Sequence, residues 1–167
     1  MTNRHEYRLS LGFPDLARST GIEPDILLRA ARSSDKNALA ELMIDAYPGT
    51  VDFDDETIED AINEIQAYLD GERGGVPLLQ FSRLALREDT LLSACLVAEW
   101  EQRQQPIVAY IMTRANSKNQ GVARYLLTSV LRLLQDAGRT SVGAVITEGN
   151  TASERLFMSL GFERVAG

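Results

Sequence analysis

Residues 116–124 read Asn-Ser-Lys-Asn-Gln-Gly-Val-Ala-Arg, a polar stretch between an apolar run at 106–113 and a helix-like run at 125–134. Such a loop could do anion chemistry. A helix head presents unpaired N–H groups and a partial positive charge. Gly121 allows a backbone to come close to a ligand. Ala123 is too small to obstruct, and Lys118 and Arg124 add positive charge. The combination suits a phosphate or pyrophosphate. The same residues also read as a plain strand-to-helix turn, and neither Gly-x-x-x-x-Gly-Lys-Ser/Thr nor Gly-x-Gly-x-x-Gly is present.

Other chemistries are narrowed by what the sequence contains. Its single histidine, His5, lies in a polar stretch near the N-terminus, so a Ser-His-Asp or Cys-His arrangement would have to be built there. One His and one Cys cannot make a zinc site of the usual kinds, and no metal is expected. Cys95 sits in an apolar strand-like run and reads as an inert core thiol. A lone cysteine also excludes an internal disulfide framework. The net charge of −7 disfavours nucleic-acid binding. It would suit a cationic partner such as an amine, or serve as a solubilising surface. No run approaches the roughly 18 apolar residues of a membrane span, and residues 1–8 lead into no signal-peptide core. A cytoplasmic protein without membrane partners is expected.

The elements that must position the loop can be read from periodicity. Residues 1–25 read as a polar extension with a short alternating patch at 7–13, and 26–167 as one domain. Residues 26–31 predict a strand. Leu39, Leu42, Met43 and Ala46 mark a first helix, and Ile58, Ala61, Ile62, Ile65 and Leu69 a second. Asp54, Asp55 and Glu56 stand at the start of that second helix, where acids complement its dipole. Residues 82–87, 90–98 and 107–113 predict an antiparallel meander. In the third strand Ile107, Ala109 and Ile111 should face one way and Val108, Tyr110 and Met112 the other, which implies cover on both sides. A helix over 121–137 and a strand over 141–147 complete a crossover, so the strands at 107–113 and 141–147 should be parallel neighbours. Thr151 and Glu154 suggest a capping box for a last helix, stopped by Gly161 before a short strand at 162–165. The fold class is α+β: a mixed sheet, antiparallel meander then parallel β-α-β, flanked by about four helices.

Two motifs on this frame resemble a known family. Lys118-x-x-Gly121-x-Ala123, on a strand-loop-helix, resembles the Arg/Gln-x-x-Gly-x-Gly/Ala signature of the GCN5-related N-acetyltransferases (GNAT). The segment from Glu148 to Phe162 is similar to that family's Asn-x-x-Ala-x-x-Leu-Tyr-x-x-x-Gly-Phe, matching at Asn150, Leu156, Gly161 and Phe162. The likeness covers about 26–165. It implies an acetyl-CoA-dependent N-acetyltransferase acting on an amine of a small molecule or a protein. The resemblance places the pyrophosphate on backbone N–H groups of Asn119, Gln120, Gly121, Val122, Ala123 and Arg124. It implies that the strand at 110–113 bulges and diverges from the strand at 141–147, with the pantetheine arm in that splay beside Ile111, Met112 and Thr113 and with Asn150 and Phe157 nearby.

The departures matter. Lys118 stands for Arg or Gln. Ser153 replaces a small apolar residue. Phe157 stands where many relatives carry a Tyr that protonates the leaving thiolate, and a phenyl ring has no proton to give. The sequence singles out no general base: Glu99, Glu101 and Glu148 are each candidates, and Tyr110 is a candidate to reach the thioester. The acidic segment around Asp52, Asp54, Asp55 and Glu56 could receive a cationic acceptor or merely cap a helix. Many relatives continue into one more strand. Here the patch at 7–13, or a second subunit in a homodimer, could take that edge. The competing readings are a catalytically silent acyl-CoA sensor and a scaffold that binds no CoA.

Overall fold

The computed structural model describes residues 3–11, 25–50 and 55–166. Asp52 and Asp54 of the acidic segment lie outside them, as do residues 12–13 of the alternating patch. In chain order the elements are β1 (Arg4–Ser10), β2 (Ile26–Ala30), α1 (Lys36–Ala46), α2 (Ile58–Leu69), β3 (Val76–Pro77), β4 (Arg83–Arg87), β5 (Thr90–Trp100), β6 (Gln105–Thr113), α3 (Val122–Asp136), β7 (Ser141–Thr147), α4 (Thr151–Ser159) and β8 (Glu163–Arg164). The strands form one mixed sheet in the order β2-β4-β5-β6-β7-β1-β8, with β3 pairing β5.

The apolar periodicities dictate the layers. Leu39, Leu42, Met43 and Ala46 of α1 and Ala61, Ile65 and Tyr68 of α2 cover one face of the sheet. Leu126, Leu127, Val130, Leu131 and Leu134 of α3, with Phe157 of α4, cover the other. Each fully buried leucine contributes about 1.5–3 kcal/mol of apolar transfer. β5, buried on both faces over Leu91–Ala98, and β6 beside it are the central strands.

β4, β5 and β6 make the expected antiparallel meander. β6 and β7 are the expected parallel pair, matched only at Ile107↔Gly143 and Val108↔Ala144. Beyond that point the two strands separate.

The alternation expected along β6 is broken. Leu96 pairs Tyr110 while Val97 pairs Val108, so Ala109 is an extra residue in a β-bulge. A bulge reverses the facing of the residues after it. Ile107, Tyr110 and Met112 therefore share the α1/α2 face, and Val108 and Ile111 share the α3 face.

Two helix starts also differ from expectation. α2 begins at a capping box of Thr57 and Asp60 rather than at the acidic run. α4 is capped by Asn150, whose side chain accepts from the Ser153 N–H at 3.2 Å, not by Thr151 with Glu154.

β1 takes the sheet position next to β7. It pairs antiparallel with that strand from Arg4↔Thr147 to Ser10↔Ser141, and carries β8 on its other side. Tyr7 and Leu9 enter the α3/α4 core.

Candidate active site

Where β6 and β7 separate, the α1/α2 face opens into a cavity of about 910 Å³. Its floor is Ile107–Ile111 of β6, its β7 wall runs from Ala144 to Thr147, and Asn150, Ser153 and Phe157 close the end at α4. The opposite wall comes from Glu56, Asp60, Asn63 and Glu64 at the start of α2, with Tyr47, Arg73 and Trp100 around the rim.

Glu64 is the cavity carboxylate that the sequence reading did not single out. Arg73 Nε donates to its Oε1 at 2.8 Å, and the Tyr110 hydroxyl donates to the same oxygen. Burial pushes the Glu64 carboxyl up, but the hydrogen bonds from Arg73 and Tyr110, with the charges of Arg73 and Arg4, more than offset it. The net direction is down, so Glu64 is a carboxylate at neutral pH. Tyr110 moves the other way: burial and then the Glu64 carboxylate push its phenol far up, so its hydroxyl stays protonated.

The local fold fixes this triad. Tyr110 reaches α2 because of the bulge at Ala109. Its ring meets Tyr68 edge-on, with centroids 5.9 Å apart, and the Tyr68 hydroxyl is itself anchored on the Val97 carbonyl at 2.7 Å. Arg73 is held by the tight return after α2, where a Cβ on Gly75 would lie 1.9 Å from the Glu99 carbonyl oxygen. A signal for Glu64 did exist. Ala61, Ile65 and Tyr68 are all buried, and position 64 lies between them on the inner face of α2.

The other candidates fall in different places. Tyr110, Ile111, Asn150 and Phe157 line the cavity. Glu99 and Glu101 do not. Glu99 is gripped by Arg139, whose Nη2 lies 2.5 and 2.7 Å from its two oxygens. Glu101 is exposed on a short 3-10 turn after β5. Glu148 is exposed too and takes a hydrogen bond from the Asn3 side chain at 3.1 Å. Met112 is buried in the α1/α2 core, and its carbonyl accepts from Ser93 Oγ at 2.7 Å. The Thr113 hydroxyl lies 3.0 Å from the same Ser93 oxygen. Phe157 packs edge-on against Phe162 at 4.9 Å. Of the acidic segment, Glu56 lines the cavity and Asp55 is exposed.

The 116–124 loop carries the chain from β6 into α3 and does not line this cavity; Asn116, Ser117 and Gln120 line a smaller one, with Arg87 and Arg114. Gly121 caps α3 with φ +82, a conformation that favours glycine, and a Cβ there would meet nothing within 4 Å. The glycine thus serves the turn and leaves open space above it. Val122, Ala123 and Arg124 begin α3, where their N–H groups have no intrahelical carbonyl. Asn119, also at positive φ, and Gln120 are exposed beside them. The two cations are engaged elsewhere. Lys118 Nζ donates to the Ala46 carbonyl at the end of α1 at 2.6 Å, and Arg124 Nη1 to Ser159 Oγ at 2.5 Å. Any anion held by this loop would meet backbone donors first. Among the described residues no cluster of His, Cys, Asp or Glu could hold a metal, and no helix is long and apolar enough to cross a membrane.

The acetyltransferase (GNAT) domain model matches residues 25–163 of the sequence. The chain belongs to the GNAT acetyltransferase family. Sequence comparison with curated proteins finds no significant match. Among solved structures, this GNAT chain superposes on a GCN5-related N-acetyltransferase from Sphaerobacter thermophilus with a TM-score of 0.69 and 18% identity, over 98% of this chain and 49% of that one. It thus spans about half that protein's length. A ribosomal-protein-alanine N-acetyltransferase from Brucella melitensis aligns with a TM-score of 0.64 and 26% identity, over 84% of this chain and 86% of that one. The diaminobutyrate acetyltransferase of Paenibacillus lautus, solved with its substrate L-2,4-diaminobutyric acid and coenzyme A, gives 0.59 and 17%, over 80% and 73%. The mixed sheet and four helices of the GNAT chain match the fold of these neighbours.

Proposed function

We propose that the protein transfers an acetyl group from acetyl-CoA to a primary amine by direct attack. The observation that carries this reading is the β6/β7 splay, whose cavity runs from Asn150 and Phe157 at α4 to the Glu64–Tyr110–Arg73 triad. The donor's pyrophosphate fits the backbone N–H groups of residues 119–124. Its pantetheine arm fits the strand edge of β6 left without a β7 partner beyond Val108. Asn150 and Phe157 flank that arm. The thioester supplies an activated acetyl carbon: the new C–N bond forms there as the C–S bond breaks.

The chain's own residues then handle the amine. A protonated primary amine has a pKa of about 10.4 and must lose a proton before attack. The ionised Glu64 attracts the ammonium, and the Tyr110 oxygen offers a second acceptor. The proton leaves to Glu64 directly or through water along the wall of Asp60 and Glu56. Tyr110 cannot replace the acid missing at Phe157, because its phenol holds its proton far more tightly than a thiol, whose pKa is about 8.5. With a thiol pKa of about 8.5 the thiolate needs no donor to leave, and the proton that the nitrogen sheds as the amide forms neutralises it through solvent. Much of the acceleration comes from holding amine and thioester together.

Titration calorimetry with acetyl-CoA and a thiol-release assay on an amine panel test this reading. Gly121→Glu should weaken acetyl-CoA binding about hundredfold, since it puts a carboxylate and a strained backbone at the anion loop. Unchanged binding in that variant would remove the loop from the donor site. Saturable binding without turnover on any amine would favour the silent acyl-CoA module, for which Phe157 is the observation in hand.

A further inference from the structure

The cavity carries both signs of charge, and its cations are not wholly used in holding Glu64. Arg4, on β1, lines it opposite Thr147 in the sheet register. It lies close enough to Glu64 to help hold that carboxyl ionised, yet it makes no hydrogen bond or ion pair among the described residues. Two residues on, Glu6 takes a hydrogen bond from Arg103 at 2.9 Å, and the Arg103 guanidinium sits over the Trp100 ring at 5.3 Å. Glu6 is therefore taken by Arg103. Across the cavity, Arg73 spends its Nε on Glu64 and its Nη1 on the Glu72 carbonyl at 3.1 Å, with Nη2 in no hydrogen bond. Two guanidiniums beside the amine position would repel a purely cationic acceptor. They would pair well with a carboxylate or a phosphate, which the planar fork of arginine suits. The cavity volume is within the ~300–1,000 Å³ of small-molecule sites.

We propose that Arg4 and Arg73 receive an anionic group on the acceptor, so that the substrate is a small amine that also bears a carboxylate or a phosphate. This rests on the amine-acetylation reading above. Arg4 is then an acceptor-binding residue supplied by a strand that stands outside the two motifs of the donor site.

The test uses the full chain and matched acceptors: butylamine, 4-aminobutyrate, 3-aminopropyl phosphate and putrescine. The wild-type protein should favour an anionic amine over butylamine by about tenfold in kcat/KM, with putrescine poorest. The better of the carboxylate and the phosphate identifies the group. Arg4→Ala should remove that preference by raising KM for the anionic amines more than for butylamine. Arg4→Lys should restore part of it, and Arg4→Glu should turn the preference toward putrescine. Raising salt should shrink the effect. Equal rates for butylamine and both anionic amines, or an equal change on every acceptor in Arg4→Ala, would overturn the proposal. If no amine turns over, calorimetric binding of the two anionic amines to the CoA-loaded protein decides instead: binding lost in Arg4→Ala supports it, and no binding to the wild type sinks it.

Discussion

Two carboxylate–guanidinium pairs in this protein look alike and do different work. Asp35, before α1, is gripped by Arg29 at 2.8 and 2.7 Å and accepts the Arg32 N–H at 2.8 Å. Glu64, on α2, is gripped by Arg73 at 2.8 Å and by Tyr110. Both carboxyls lie below their ordinary values: Asp35 through the Arg29 hydrogen bond above all, against burial; Glu64 against a larger desolvation, through Arg73 and Tyr110. Asp35 is 8% exposed, and its bonds tie β2 to the entry of α1. Glu64 is half-buried on a cavity wall and shares its oxygen with a tyrosine from another element. A lowered pKa and a tight arginine therefore do not mark a functional acid. The space that the carboxylate faces does.

Substitutions can break that contrast. Glu64→Gln should reduce kcat/KM about hundredfold while leaving acetyl-CoA affinity and melting temperature near wild type. Steady-state kinetics beside calorimetry check this, and a fall in donor affinity would mean that Glu64 shapes the splay instead. Asp35→Asn should do the reverse. It should cost about 2–3 kcal/mol in denaturant unfolding and leave kcat/KM untouched. Tyr110→Phe should cost about tenfold in kcat/KM, because Glu64 loses one of its donors and the ammonium loses an acceptor.

The smallest effect is in pH dependence. Both carboxyls have folded values below their unfolded ones. Their stabilisation is present above the unfolded values and disappears as pH falls through the folded ones, which is below about pH 4. Asp35→Asn should flatten that acid limb in thermal melts. Neither group titrates near neutrality, so a rate that rises with pH between about 7 and 10 should reflect the amine and persist in Glu64→Gln. A wild-type rate limb below pH 7 that vanishes in Glu64→Gln would place the Glu64 pKa far higher in the working complex.

Much of the frame was legible because its signals are local. The leucine spacing of α3, the run of β6 and the glycines at 121, 138 and 161 each announce their own element. The Gly121-headed start of α3 was legible for the same reason, since loop and helix head are contiguous. The setting of Glu64 was not. Glu64 meets Tyr110 because a bulge at Ala109 turns that tyrosine toward α2; the resemblance implied a bulge over 110–113, but alternation along β6 does not show where it falls. Glu99 looked available until Arg139, forty residues on, came to lie against it. Lys118 looked like an anion ligand until the end of α1 claimed it. Phe157 lines the cavity and packs against Phe162, and a phenyl ring has no proton to offer in either setting.

The position of β1 bears on how the molecule is made. Its neighbours, β7 and β8, come after nearly every other element of the sheet in chain order, so β1 must wait for most of the domain before it has anything to pair with. Closing so long a stretch of chain adds only a logarithmic entropic cost, yet such distant pairing slows folding. The meander and both α1/α2 partners can assemble meanwhile. Arg4 thus reaches the cavity wall only with the final closure of the sheet.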